Sequence, residues 1–131
     1  MKYTDKQRVV AQLVTDCKTG SRRAKKKQKG IDQCDVTFDS MWSLMENVNQ
    51  WNCIATNVPF LILDKRVLVR DRKALGLNTF FIPSIDRIDN TKGYTMDNIR
   101  IVSWGWNNAL NKYSDSELWE WINAINNLHN F

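Results

Sequence analysis

Between Pro83 and Asn111 the chain reads PSIDRIDNTKGYTMDNIRIVSWGWNNALN, a stretch dense in carboxylates and amides that contains no histidine. Asp86 falls just past the end of an expected strand, and Asn107 falls at the opening of an expected helix. Two oxygen donors on opposite walls of a cleft suit a hard cation such as Mg or Mn, which takes few protein ligands and keeps waters for a substrate phosphate. Zinc would draw on His or Cys. Cys17, Cys34 and Cys53 lack CxxC spacing, so no structural zinc is expected. Taken singly, Asp86 also reads as a turn-capping acid and Asn107 as an N-cap amide; their spacing, with Asn98 between them, favours the joint reading. Arg100, on the second expected strand, is a candidate phosphate clamp or else a plain surface arginine.

A hairpin and a helix have to position these residues. The β-rich TFFI suggests the first strand, NTKGY a turn and NIRIVS the second strand. Helical spacing resumes at Trp106. Ser114 and Glu117 then form a capping box ahead of Leu118, Trp121, Ile122, Ile125 and Leu128. Upstream, Thr4 can cap a helix carrying Val9, Val10, Leu13, Val14 and Cys17, expected to end near Gly20, with a short basic helix following to Gly30. Thr37 or Asp39 can start another helix, with Phe38, Met41, Trp42, Met45 and Val48 as its apolar stripe. FLIL and RVLV are candidate strands about an Asp64-Lys65 turn. Trp42, Trp106 and Trp121 read as core, while Trp51, Trp104 and Trp119 leave base stacking open. The expected fold is α+β: a small helical domain around a ββα hairpin-plus-helix, with basic N-terminal helices and a C-terminal helix.

With 131 residues, the chain fits one domain, residues 1–131, comprising a basic helical extension over 1–30, a core over 35–112 and a closing helix over 114–128. The longest apolar run is too short to span a bilayer and the N-terminus is polar, so a soluble, unexported protein without membrane association is expected, its odd cysteines free thiols in a reducing cytoplasm. The formal net charge of +5 is unevenly spread. Residues 1–30 hold ten Lys or Arg against two acids, and the remainder holds nine against twelve. SRRAKKKQKG, with Arg22, Arg23, Lys25, Lys26 and Lys27, suits a phosphate backbone, because each neutralised phosphate releases counterions. A solvated helix face is the alternative.

The stretch resembles the HNH endonucleases of the ββα-metal superfamily, in particular the small phage and bacterial type with an S-x-D-R-I-D-N, G-Y, N-x-R-x-V motif. The matching residues are Ser84, Asp86, Arg87, Ile88, Asp89, Asn90, Gly93, Tyr94, Asn98, Arg100 and Val102. Upstream, Gln50, Cys53, Thr56 and Pro59 match a Q-x-x-C-x-x-T-G-x-P segment, with Asn57 replacing the glycine, and the similarity runs from Arg22 to Lys112.

The resemblance implies a metal-dependent DNA endonuclease that hydrolyses phosphodiester bonds with one Mg or Mn and low sequence specificity, in a bacterial or phage-infected cell. By position, Asp86 and Asn107 are the metal ligands, with Asn108 the neighbouring alternative, and Asn98 steadies the loop between the motif halves. Arg87 stands where the family carries a histidine base. A guanidinium stays protonated, so Arg87 can grip phosphate or steady the transition state but cannot take a proton from water. The base would then be His129, the only histidine, or Asp89, or water acidified by the cation. Two other classes stay open: a noncatalytic DNA-binding protein on a degenerate scaffold, and a protein-binding inhibitor or accessory factor using the acidic, aromatic C-terminal helix.

Overall fold

The computed structural model describes residues 3–27, 33–63, 67 and 69–129, with the backbone alone at 24–27 and 69. The first helix, α1 (Asp5–Lys27), begins with a capping box in which Gln7 N donates to Thr4 Oγ1 and Thr4 N to Gln7 Oε1. Its stripe of Val10, Leu13, Val14 and Cys17 is buried, as the spacing predicts. The helix does not stop at Gly20, however. A Cβ there would come within 2.6 Å of the Tyr94 ring, so Gly20 serves a close approach, and one long helix replaces the expected pair.

Thr37, rather than Asp39, caps α2 (Phe38–Ser43) in a reciprocal box with Ser40. The helix widens into a π-helical turn over Leu44–Asn49. Met41 and Met45 are buried, but the wider turn carries Asn49 inward and leaves Val48 exposed, against the expected stripe. Asn49 Nδ2 then donates to the carbonyls of Asn52 and Ile101, which ties this turn to the sheet.

Among the described residues between 53 and 82 no strand is formed. Phe60–Leu63 is irregular, Val69–Asp71 is a 3₁₀ turn, and residues 64–66 and 68, which carry the expected Asp64-Lys65 turn and half of RVLV, lie outside the described residues. The TFFI segment also departs from its β propensity. Asn78 Oδ1 accepts from Phe80 N and caps a 3₁₀ turn over Thr79–Phe81.

Strands β1 (Pro83–Arg87) and β2 (Ile99–Ser103) form the two-stranded antiparallel sheet, with Asp86 opposite Arg100. Helix α3 (Trp104–Ala109) follows β2 without a loop, starting two residues earlier than expected. Gly105 lets the Phe80 ring lie against it, fixing the 3₁₀ turn onto α3. Helix α4 (Asp115–His129) starts from the expected Ser114 and Glu117 capping box. Ile101 and Val102 are fully buried, and side chains of that size contribute about 1.5–3 kcal/mol each. Around them pack α1, Met41, Met45, Cys53, Phe60 and Trp106. Leu118 and Ile122 bring α4 onto this core, whereas Trp121, expected in it, is 66% exposed.

The architecture is thus α+β, with helices around a small antiparallel sheet. Among the described residues no helix is long and apolar enough to cross a membrane. Cys17, Cys34 and Cys53 are free thiols.

Candidate functional site

The hairpin loop is organised by Asn98, which is buried at 5% exposure. Its Oδ1 accepts from Asp89 N at 2.9 Å, and its Nδ2 donates to the carbonyls of Asp89 at 3.0 Å and Gly93 at 2.8 Å. One amide therefore closes the turn between the strands and fixes where β1 ends. Asp89, a candidate base by its place in the motif, closes the turn from the other side. Its Oδ1 accepts from Thr91 N and Thr91 Oγ1, and those bonds hold its carboxyl below the usual range.

Side chains alternate along a strand, so Ser84 and Asp86 share one face of β1 while Ile85 and Arg87 share the other. Helix α3 lies on the Ser84 and Asp86 side. Asn107, the fourth residue of α3 rather than its opening one, donates from Nδ2 to Ser84 Oγ at 2.8 Å and to the Ile85 carbonyl at 2.9 Å. A carbonyl only accepts, which fixes the amide nitrogen on the strand side. Asn107 Oδ1 accepts nothing from the described residues, and its amide is anchored one peptide link from Asp86.

Asp86 is a member of β1, not a residue beyond it, and its side chain is 16% exposed. Oδ2 accepts from Arg100 Nε at 2.7 Å; Oδ1 accepts nothing from the described residues. The rest of the Arg100 guanidinium makes a two-pronged pair with Asp115 at the start of α4, at 2.8 and 3.0 Å. Trp106 Nε1 donates to the same Asp115 at 2.8 Å. The paired N–H groups of Arg100 hold the Asp115 carboxyl below its ordinary value, and Asp115, then Asp86, hold Arg100 more firmly protonated against the cost of its burial. Arg100, expected to clamp phosphate, is here a bridge between two carboxylates.

Arg87 is not brought to Asp86. Its guanidinium lies 4.9 Å from the centre of the Tyr94 ring, which also lies against Gly20 of α1, and its Nη1 donates to the Lys92 carbonyl. The strand alternation that aims Asp86 at α3 aims Arg87 away from it. His129 ends the helix that Asp115 begins, about 21 Å from Asp115 along its axis. Asn108 donates to the Trp104 carbonyl within its own helix. Arg22 and Arg23 are exposed on the last turns of α1, while the side chains of Lys25, Lys26 and Lys27 lie outside the described residues.

The structure therefore gathers Asp86, Asn107, Asn98 and Arg100 around one hairpin, and separates Arg87 from them. Three participants were missed in the sequence: Asp115, Trp106 and the anchoring role of Ser84. A signal for Asp115 existed, since a cation on a strand as apolar as NIRIVS requires carboxylate partners. Among the described residues no group of three or more His, Cys, Asp or Glu is gathered as a metal cage. Asp86 and Asn107 together offer a smaller set, one carboxylate and one amide oxygen. Comparisons with protein-family models, with curated proteins and with solved structures returned no match to this chain.

Proposed function

We propose that this chain is a metal-dependent DNA endonuclease of the HNH, or ββα-metal, type, with Asp86 and Asn107 as the ligands of one divalent cation. The observation that carries the reading is the anchoring of the Asn107 amide nitrogen on Ser84 and on the Ile85 carbonyl. That bond pair leaves the hard amide oxygen of Asn107 without a partner among the described residues, on an amide anchored one peptide link from Asp86. Asp86 Oδ1 and Asn107 Oδ1 are the donor type that Mg or Mn prefers, and two protein oxygens leave room for water and phosphate. Such a cation, when bound, polarises a phosphodiester and acidifies water.

The chain's own residues then divide the work. Asn107 is oriented by β1, and Asp86 is oriented by Arg100. Asn98 fixes the loop at the end of the strand that bears Asp86. Asp86, Arg100 and Asp115 together carry one net negative charge, which favours a cation over an anion at this spot. Arg22 and Arg23, exposed on α1, supply backbone contacts whose strength falls with salt.

A second reading, a DNA-binding protein without cleavage, draws on a different observation: Arg100 already occupies Asp86 Oδ2, and Arg87 stacks on Tyr94 where a base would be wanted. The two separate in one assay. Supercoiled plasmid incubated with purified protein in Mg, Mn or EDTA is expected to be nicked only with metal, leaving 3′-hydroxyl and 5′-phosphate ends. Salt-sensitive binding of the same plasmid with no nicking in either metal would favour the second reading.

A further inference from the structure

Strand β2 is buried at Ile99, Ile101, Val102 and Ser103, and Arg100 is the one member left partly open, its side chain 25% exposed. A guanidinium in such a place must find anions, and it finds two. The pair with Asp115 is the more constraining, because two parallel N–H donors meet the two oxygens of one carboxylate at 2.8 and 3.0 Å, which fixes the plane of the guanidinium. With that plane fixed, the Nε hydrogen has one direction left, and it meets Asp86 Oδ2 at 2.7 Å. Asp115 is itself held by Trp106 Nε1, which belongs to the core, and by the capped start of α4.

From this chain of contacts we infer that Asp115 is a positioning residue. Acting through Arg100, it sets the aim of Asp86 and preserves the negative charge that Asp86 offers to a divalent cation. The inference rests on the reading that Asp86 holds such a cation. Asp115 belongs to the helix after the hairpin and touches neither Asp86 nor Asn107, so its part is indirect. In charge terms, Asp86 and Asp115 share the single positive charge of Arg100. Neutralising Asp115 leaves the whole of that charge paired with Asp86, so the carboxylate has less negative charge to offer a dication, an effect that needs Arg100 in place. In geometric terms, the guanidinium loses the partner that fixed its plane and the Nε donor swings.

The test is Mn(II) binding to the full chain, read from loss of the free-ion electron paramagnetic resonance signal, so that no turnover enters. Asp115→Asn is expected to raise the Mn Kd about tenfold, the scale for removing a partner that orients a metal ligand. Asp115→Glu, which keeps the charge, is expected to recover most of it. In an Arg100→Gln background, Asp115→Asn is expected to change Kd by less than about twofold, because a residue acting through Arg100 has nothing left to act on. Trp106→Phe, which removes one bond to Asp115 and no charge, is expected to raise Kd roughly threefold; it stands in if Asp115→Asn does not fold. A folded Asp115→Asn, or in its stead a folded Trp106→Phe, with the wild-type Kd overturns the inference, even if its urea midpoint falls. So does an equal loss in both Arg100 and Gln backgrounds, which would mean charge acting at a distance. Wild-type protein whose Mn binding is absent, or unaffected by Asp86→Ala, overturns the metal reading itself and this inference with it.

Discussion

Replacing Asn98 by alanine tests whether one buried amide closes the hairpin loop. Its side chain is 5% exposed and makes three hydrogen bonds of 2.8–3.0 Å, all to backbone groups of Asp89 and Gly93. Alanine removes all three and strands two carbonyls and an N–H that water reaches poorly. At about 1 kcal/mol net for each bond, the loss is ~3 kcal/mol, a sizeable share of the 5–15 kcal/mol that holds a typical domain together. For a chain of this length that corresponds to a fall in Tm of about 10 °C. Urea unfolding at pH 7, followed through the six tryptophans, reads the change as a lower midpoint at an unchanged slope. Asn98→Asp makes a sharper companion. It keeps the acceptor for Asp89 N but turns a carboxylate toward the carbonyls of Asp89 and Gly93, so it is expected to cost at least as much as alanine. A loss below about 1 kcal/mol for alanine, or an aspartate variant as stable as wild type, would refute the argument that this amide organises the loop.

Three other outcomes are expected. Burial pushes the Cys17 thiol up to about 12, so at pH 8 in native buffer a thiol reagent is expected to modify half-buried Cys34 well before Cys17; mass spectrometry of peptides checks the order. The Asp115 carboxyl has its folded value depressed, first by Arg100, so its stabilising contribution is complete above the ordinary carboxylate value of about 3.9 and is lost as pH falls through the lower folded value. Asp115→Asn is therefore expected to be less stable near neutrality and to lose less between neutrality and pH 2 than wild type, as read by thermal unfolding. On the DNA-binding reading, Arg22→Ala and Arg23→Ala are each expected to lower the slope of log K against log salt by about one, with little dependence on sequence, as read by fluorescence anisotropy.

Much of the helical frame was legible in the residues. The Thr4 cap and the Ser114 and Glu117 capping box are local, and local hydrogen bonds leave local signatures. The buried stripe of α1 is likewise a matter of period alone. What escaped the sequence depended on partners distant in the chain or on local choices that compete with the residues' own propensities. Gly20 reads as a helix stop until the Tyr94 ring is seen against it. TFFI reads as a strand until the Asn78 side chain takes its backbone N–H. Val48 leaves its stripe because the helix widens after Ser43, and Trp121 stays exposed because α4 meets the core through Leu118 and Ile122.

The candidate site divides in the same way. Asp86, Asn98 and Asn107 were identified as residues, and their neighbourhood on one hairpin follows from the short connections between β1, β2 and α3. Their hydrogen-bond states were not legible. That Asn107 spends its nitrogen on Ser84 and Ile85, that Arg100 divides itself between Asp86 and Asp115, and that Arg87 stacks on Tyr94 all depend on which strand face meets which helix. A sequence motif carries order and spacing, and face is decided by packing.

Whether Asp86 and Asn107 hold a catalytic cation is decided by plasmid nicking in Mg by wild type, Asp86→Ala and Asn107→Ala, each verified as folded and as binding the plasmid in EDTA. Metal-dependent nicking by wild type, lost in both variants while binding persists, is the expected result. Nicking that survives either substitution, or wild-type protein that binds the plasmid and never cuts it, would contradict the assignment of Asp86 and Asn107 as the ligands of a catalytic cation.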